Sequence, residues 1–284
     1  MKPVPVLLIV ILFGSVPFCG CVSEPGAGPG TPVPTTAFTG TPVPTTTAPG
    51  IPSPTTSFPP LPMVLENISA NWAGYSIQTS FNNPQDNAVN SVEASWNVPA
   101  VICPFSMGDY SSAFWVGIDG ISSRSVEQIG TDSDCIRGVP TYYAWYEAYP
   151  RDSVTLDINI SPGDEVHAKV EFIGNNTFRY TIRDITNQEM VSIIEAGSVV
   201  AARSSAEWIV EAPFLGRRIL PLADFGPVDF MNATVTINGE SGPISGRNWQ
   251  YQPIVMEARG GPFKATPTGL AADGTSFSII WEHS

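Results

Sequence analysis

The chain has 284 residues, room for one large domain or two small ones, and 26 acidic against 13 basic side chains give a formal charge of −13. So acidic a surface repels polyanions, which excludes nucleic acid as a partner. Two histidines, His167 and His283, and only two cysteines beyond the N-terminal segment, Cys103 and Cys135, exclude a His/Cys zinc centre and leave little for Ser-His-Asp or Cys-His chemistry.

The chain opens with Lys2 and an apolar run from Val6 to Phe13, bounded by Pro5, Gly14 and Pro17. This run is too short and broken to span a bilayer, so residues 1–21 read as a secretory leader. Gly20-Cys21 also resembles a lipoprotein processing site, which would leave Cys21 as a lipidated first residue and tether the protein to a membrane. Plain secretion and an uncleaved anchor are the alternatives. Residues 22–63 carry 12 prolines and 10 threonines, and Gly30-Thr31-Pro32-Val33-Pro34-Thr35-Thr36 recurs ten residues later from Gly40. Such a segment buries too little apolar surface to fold and is expected to be a disordered spacer.

From residue 64 to residue 284 the pattern changes to short alternating segments punctuated by Gly, Pro, Asn and Asp, which predicts one all-β domain. Val154, Leu156, Ile158 and Ile160 alternate with polar residues, as do Val166, Ala168, Val170 and Phe172, and then Phe178, Tyr180 and Ile182. One-faced strands without helical periods between them predict an antiparallel two-sheet β-sandwich, here expected to act as a monomer. Asn175-Asn176, Asn238-Gly239 and Asp273-Gly274 are expected at turns that need positive φ. His167 falls on the Lys/Glu face of its strand and is expected to point to solvent. In an exported chain Cys103 and Cys135 favour a disulfide, contributing on the order of 3 kcal/mol by loop entropy.

The chemistry concentrates between Ser112 and Pro150. By strand alternation Trp115 shares a face with Asp119, Gln128 with Asp132, and Tyr143 with Trp145, Glu147 and Tyr149. Aromatic rings interleaved with carboxylates and an amide fit a cleft wall, although Trp and Tyr also serve ordinary sandwich cores. Far downstream, Glu207, Ile209 and Glu211 share one face of another strand, which by periodicity alone fits a solvated edge equally well.

Taken together, six segments resemble the glutamic peptidases, the eqolisin family of pepstatin-insensitive acid endopeptidases. They are Asn71-Trp72-Ala73-Gly74-Tyr75, Trp115-Val116-Gly117-Ile118-Asp119-Gly120, Gln128 ahead of Gly130 and Asp132, Ala144-Trp145-Tyr146-Glu147 with Tyr149-Pro150, Ala206 to Glu211, and Leu222-Ala223-Asp224-Phe225-Gly226. The resemblance implies a concanavalin-like sandwich whose concave face holds a catalytic Gln/Glu pair, falling here on Gln128 and Glu211. It implies that Trp72, Trp115, Asp119, Asp132, Trp145 and Glu147 line or support the substrate cleft. It also implies protein or peptide substrates, no metal or other cofactor, and a working range in acid.

Three positions depart from the family pattern. Ala148 stands where a second Trp is common, Tyr143 where fungal members often have Asp, and Ile129 where a Thr follows the Gln, so the substrate pockets are expected to differ. Two other functions fit an aromatic concave face on an exported, stalked domain. One is a carbohydrate-binding or other non-catalytic module; the other is a glycoside hydrolase using Glu147 and Glu211 as its two carboxylates.

Overall fold

Segments in which every second residue is apolar can hide only one face, and this chain hides those faces by laying two β-layers against each other. The computed structural model describes residues 67–104 and 108–284. The leader with Cys21, and the Thr/Pro segment at 22–63, lie outside the described residues. The strands are β1 (Ile68–Ser69), β2 (Trp72–Gln78), β3 (Val89–Asn97), β4 (Ala113–Ile118), β5 (Val126–Ile136) and β6 (Val139–Tyr149). Then follow β7 (Val154–Thr155), β8 (Glu165–Gly174), β9 (Thr177–Asp184), β10 (Glu189–Ala196), β11 (Ser205–Glu211) and β12 (Phe214–Leu215). The last six are β13 (Arg218–Ile219), β14 (Pro227–Ile237), β15 (Glu240–Pro243), β16 (Gln250–Glu257), β17 (Phe263–Pro267) and β18 (Phe277–Trp281). No helix occurs among the described residues.

One hydrogen-bonded path runs β10-β9-β8-β3-β14-β18-β17-β16-β2-β11-β4-β5-β6-β7, with β1 beside β16, β15 beside β14, and β12-β13 as a separate hairpin. The path turns a corner at β16. Gln250 to Ile254 pair with β2 in one layer, whereas Met256 and Glu257 pair with β17 in the other. Every pairing is antiparallel except β1 with β16. The layer containing β4, β5 and β11 then packs face to face on β3, β8 and β9.

Between the layers lie Tyr75, Trp96, Phe114, Phe178, Tyr180, Trp208, Phe230 and Phe277, all fully buried. Burying a side chain of this size is worth roughly 1.5–3 kcal/mol. Their polar tips are also used. Trp96 Nε1 donates to Thr131 Oγ1 at 3.0 Å and Trp208 Nε1 to the Glu93 carbonyl at 3.0 Å, each bond crossing from one layer to the other. Cys103 and Cys135 are disulfide-bonded, tying the stretch that precedes β4 to the end of β5.

The expected turns form. Asn175 and Asn176 have φ of 50° and 53° between β8 and β9, and Asn238 and Gly239 have 51° and 82° between β14 and β15. Two expectations need correction. Leu156, Ile158 and Ile160 do alternate inward, but only Val154 and Thr155 are in a strand, because the rest of that segment buries its apolar side chains without a ladder partner. His167 does not simply face water. Its Nδ1 lies 3.1 Å from Ser95 Oγ and its Nε2 3.3 Å from Glu93 Oε2, on the outer face of β8 against β3.

Candidate active site

The layer of β2, β11, β4, β5 and β6 turns its second face outward, and alternation decides what that face carries. Each of Trp72, Glu211, Trp115, Gln128, Asp132, Trp145 and Glu147 falls on it, while their neighbours Ala73, Val210, Val116, Ile129 and Ala144 point into the core between the layers. The register sets out rows across this face. Trp72, Glu211, Ala113, Asp132 and Tyr143 stand level; Ile209, Trp115, Gly130 and Trp145 form the next row; Glu207, Gly117, Gln128 and Glu147 the one after. Gln128 and Glu211 are therefore diagonal partners, two rows apart with β4 between them, on either side of Trp115.

Glycines make room for that indole. A Cβ on Gly130 would lie 2.1 Å from the Phe114 carbonyl oxygen and 2.7 Å from Trp115 Cβ. We expect Gly130→Ala to destabilise the domain by about 2–3 kcal/mol in a urea titration, the upper range for overpacking, because a backbone atom cannot step aside.

Trp72, Gln128, Asp132, Trp145, Glu147 and Glu211 line one cleft of about 430 Å³, whereas Trp115 is fully buried and does not line it. Glu211 is held from both sides. Asn71 Nδ2 donates to Oε1 at 2.9 Å and Trp115 Nε1 to Oε2 at 3.0 Å, and the Trp72 ring meets Trp115 edge-on at 5.0 Å. Burial pushes its carboxyl up to about 7, with the nearby Glu147 adding to the rise and the indole and amide donors opposing it. Gln128 donates from Nε2 to Glu147 Oε2, which fixes the orientation of its amide, while Gln128 Oε1 is buried without a protein partner. Burial likewise raises Glu147 to about 7, against the Gln128 bond that lowers it.

The other end of the cleft is a network of acids. Trp145 Nε1 donates to Asp132 Oδ1 at 2.5 Å, and the Tyr143 hydroxyl lies 2.9 Å from Asp132 Oδ2 and 3.1 Å from Asp134 Oδ2. A phenol has one hydrogen, so it either divides that hydrogen between the two carboxyls or accepts from one of them that keeps its proton. Burial first, and then the charge of Asp134, holds Asp132 well above the usual carboxylate range.

Asp119 does not share the outward face of Trp115 on which strand alternation places it. Alternation ends with β4 at Ile118, and Asp119 turns aside with a φ of 74°. Its carboxylate accepts from the backbone N–H groups of Arg203 and Ser204 at 2.7 and 2.9 Å, so it ties the end of β4 to the chain entering β11 and supports the cleft from outside. Of the three departures from the family pattern, Ala148 and Ile129 face the core and only Tyr143 reaches the cleft. Glu207 is fully buried, and burial holds its carboxyl well above the usual carboxylate range against the opposing influence of the Ser205 hydroxyl.

Four contributors escape the sequence reading. Asn71 sits just ahead of β2, where alternation says nothing about direction. Asp134 shares the face of Asp132 and was legible as its i+2 neighbour. Arg124 and Phe214 reach the cleft from outside β5 and β11, from the loop before one and the hairpin after the other.

Residues 70–260 match the Peptidase A4 family. Aspergillopepsin-2 of Aspergillus niger is 36% identical over 177 residues, covering 61% of this chain and 60% of that protein. Scytalidopepsin B of Scytalidium lignicola is 31% identical over 187 residues, covering 61% of this chain and 66% of that protein. The chain thus spans less than two thirds of the length of these curated relatives. Among solved structures, scytalido-glutamic peptidase with a transition state analog inhibitor superposes with a TM-score of 0.61 at 27% identity, over 75% of this chain and 99% of that one. Aspergilloglutamic peptidase from Aspergillus niger gives 0.54 at 29% identity, over 61% of this chain and 99% of that one. With a family match spanning the whole cleft-bearing layer from Trp72 through Glu211, the chain belongs to the Peptidase A4 family.

Proposed function

We propose that this chain is an extracellular endopeptidase in which Glu211 and Gln128 hydrolyse peptide bonds without a cofactor. The observation that carries the proposal is one cleft containing both groups, with Glu211 aimed by Asn71 and Trp115 and with Gln128 oriented by Glu147. Glu211 as carboxylate takes a proton from water while the resulting hydroxide adds to the scissile carbonyl carbon. Gln128 has two amide hydrogens, one engaged by Glu147; the other donates to the developing oxyanion, and the unpaired Oε1 accepts from the water. As the C–N bond breaks, Glu211 returns the proton to the departing amine. The pair Glu147 and Glu211 would also serve a glycosidase, but membership of a peptidase family and the Gln128–Glu147 bond favour peptide substrates.

Glu211 works as a carboxylate in this scheme, and burial moves its ionisation up to about 7, so across the acid range activity should climb towards neutrality as that proton is lost. The leader and the disulfide support work outside the cell, as a soluble monomer or tethered through Cys21. The test is digestion of an unfolded protein from about pH 2 to about pH 7, with and without pepstatin, by wild type and Glu211→Gln. Pepstatin-resistant cleavage by wild type, lost in Glu211→Gln, is the expected result. A folded wild type that cleaves at no pH would overturn the proposal.

A further inference from the structure

The cleft contains three carboxyl groups in or beside the proposed chemistry, Asp132, Glu147 and Glu211, but a single basic side chain, Arg124. Arg124 is the first Lys or Arg after Lys2, so no other cation from the first 123 residues could take its place. Its guanidinium has neither an ion-pair nor a hydrogen-bond partner among the described residues, whereas Arg151 and Arg179 are paired with Glu195 and Glu171. An exposed arginine beside an acid-rich cleft that pairs with none of those acids keeps its full charge available to a ligand.

The loop that carries it is pinned. Ser122 Oγ accepts from Gln78 Nε2 at 3.0 Å, Ser123 Oγ accepts from the Gly120 N–H at 3.1 Å, and the same hydroxyl donates to the Ser125 carbonyl at 2.9 Å. Arg124 therefore stands on a braced turn, which lowers the entropy lost when a ligand fixes it. Its place along the cleft follows from strand geometry. Val126, level with Tyr149, is one two-residue repeat beyond Gln128, about 7 Å along β5. Arg124 lies on the turn beyond that row, within reach of a substrate side chain a few residues from the bond being cut.

Resting on the peptidase reading, we infer that Arg124 is a specificity-determining residue that selects peptides carrying a carboxylate a few residues from the scissile bond. The carboxylate comes either from an Asp or Glu side chain or from the free C-terminus of a short peptide. A guanidinium fork binds either one bidentately.

The experiment uses one cleavable peptide in which Glu or Gln is placed in turn at each position within four residues of the scissile bond, and a short version ending in a free acid or an amide. kcat/KM is measured near pH 5.5, where a free Glu side chain is largely ionised. The expected result with wild type is one position, or the chain end, at which the carboxylate form is cleaved about three- to tenfold faster than its neutral twin. That ratio should fall to about one in Arg124→Gln, persist in part in Arg124→Lys, and shrink as salt is added. In Arg124→Glu the same position should favour Lys over Gln. A ratio of one everywhere in wild type, or one that survives in Arg124→Gln, overturns the inference while leaving the peptidase reading intact. Failure of wild type to cleave any of the peptides, neutral ones included, overturns the peptidase reading and the inference with it.

Discussion

Gln128→Ala is expected to lower kcat/KM on a quenched fluorescent peptide by about 10²–10³, the cost of losing one aligned oxyanion donor. The size of the loss follows from the geometry. Gln128 Nε2 spends one hydrogen on Glu147 and keeps one for the substrate, and its buried Oε1 has no protein partner to lose. Gln128→Glu is nearly isosteric, yet a carboxylic acid has one hydrogen where the amide has two, and the ionised form meets Glu147 as a like charge. It should therefore be impaired too, and increasingly so as pH rises. Glu211→Gln removes the group proposed to move the proton and is expected to cost about 10²–10⁴. Both side chains face the cleft rather than the inter-layer core, so the three variants should unfold near the wild-type midpoint. A Gln128→Ala enzyme within threefold of wild type would remove this residue from the mechanism.

Glu127→Gln is expected to flatten the dependence of stability on pH. Glu127 alternates with Gln128 and so points the other way, into the core, between Ile118 on β4 and Ala148 on β6. It is fully buried, and neither carboxyl oxygen has a hydrogen-bond partner; nor does the hydroxyl of Tyr180, whose phenol its charge influences. Burial, with the charge of Asp119 adding to it, pushes its carboxyl up from 4.5 to about 8 in the folded state. The sign follows from linkage. The folded state holds the proton more tightly than the unfolded chain, so the stability that this group supports is whole below about 4.5 and drains away as pH rises to about 8. For a shift of this size the loss is roughly 3–5 kcal/mol, which in a domain of this length means about 10 °C in Tm. Glu207, Asp119, Asp132 and Asp134 are raised in the same direction, chiefly by burial, and steepen the decline. Glu93 acts oppositely, because its bond to His167 lowers it and its contribution fades in acid. Thermal melts from about pH 4 to about pH 8 should show wild type losing stability throughout, with Glu127→Gln losing distinctly less. Parallel curves for the two proteins would mean that Glu127 is solvated or paired in solution.

The contrast between Gln128 and Glu127 shows what a sequence can and cannot reveal. Alternation told which residues share a side, and for β5, β6 and β11 it grouped Gln128 with Asp132, Trp145 with Glu147, and Glu207 with Glu211, as the structure has them. It could not say which side faces the opposite layer, because an acid is acceptable on either side so long as it keeps its proton or finds donors. Periodicity also fails where the strand stops. Asp119 was grouped with Trp115 by counting in twos, but a positive φ after Ile118 breaks the count. Leu156 to Ile160 kept the count without a ladder, since burial needs only an extended backbone and not a partner strand. The paired turn asparagines were legible because their cause is local, whereas the contact of Tyr143 with both Asp132 and Asp134 depends on how β5 and β6 are set against each other.

The anchorage of Asp119 has a consequence for the phase of the active-site strand. Sliding β11 past β4 by one residue would swap its two faces and is forbidden by the core, but a slide by an even number would keep every apolar side chain inside. Glu207 and Glu211 are four apart on the same face, so a slide of four would carry one acid into the other's place with the hydrophobic pattern unchanged. The alternation of polar and apolar residues alone is blind to that error, although Trp208 would leave its slot in the core. The carboxylate of Asp119, gripping the two backbone N–H groups just ahead of β11, is not, since those donors would move out of its reach. Asp119, which does not line the cleft, thus helps decide which glutamate does.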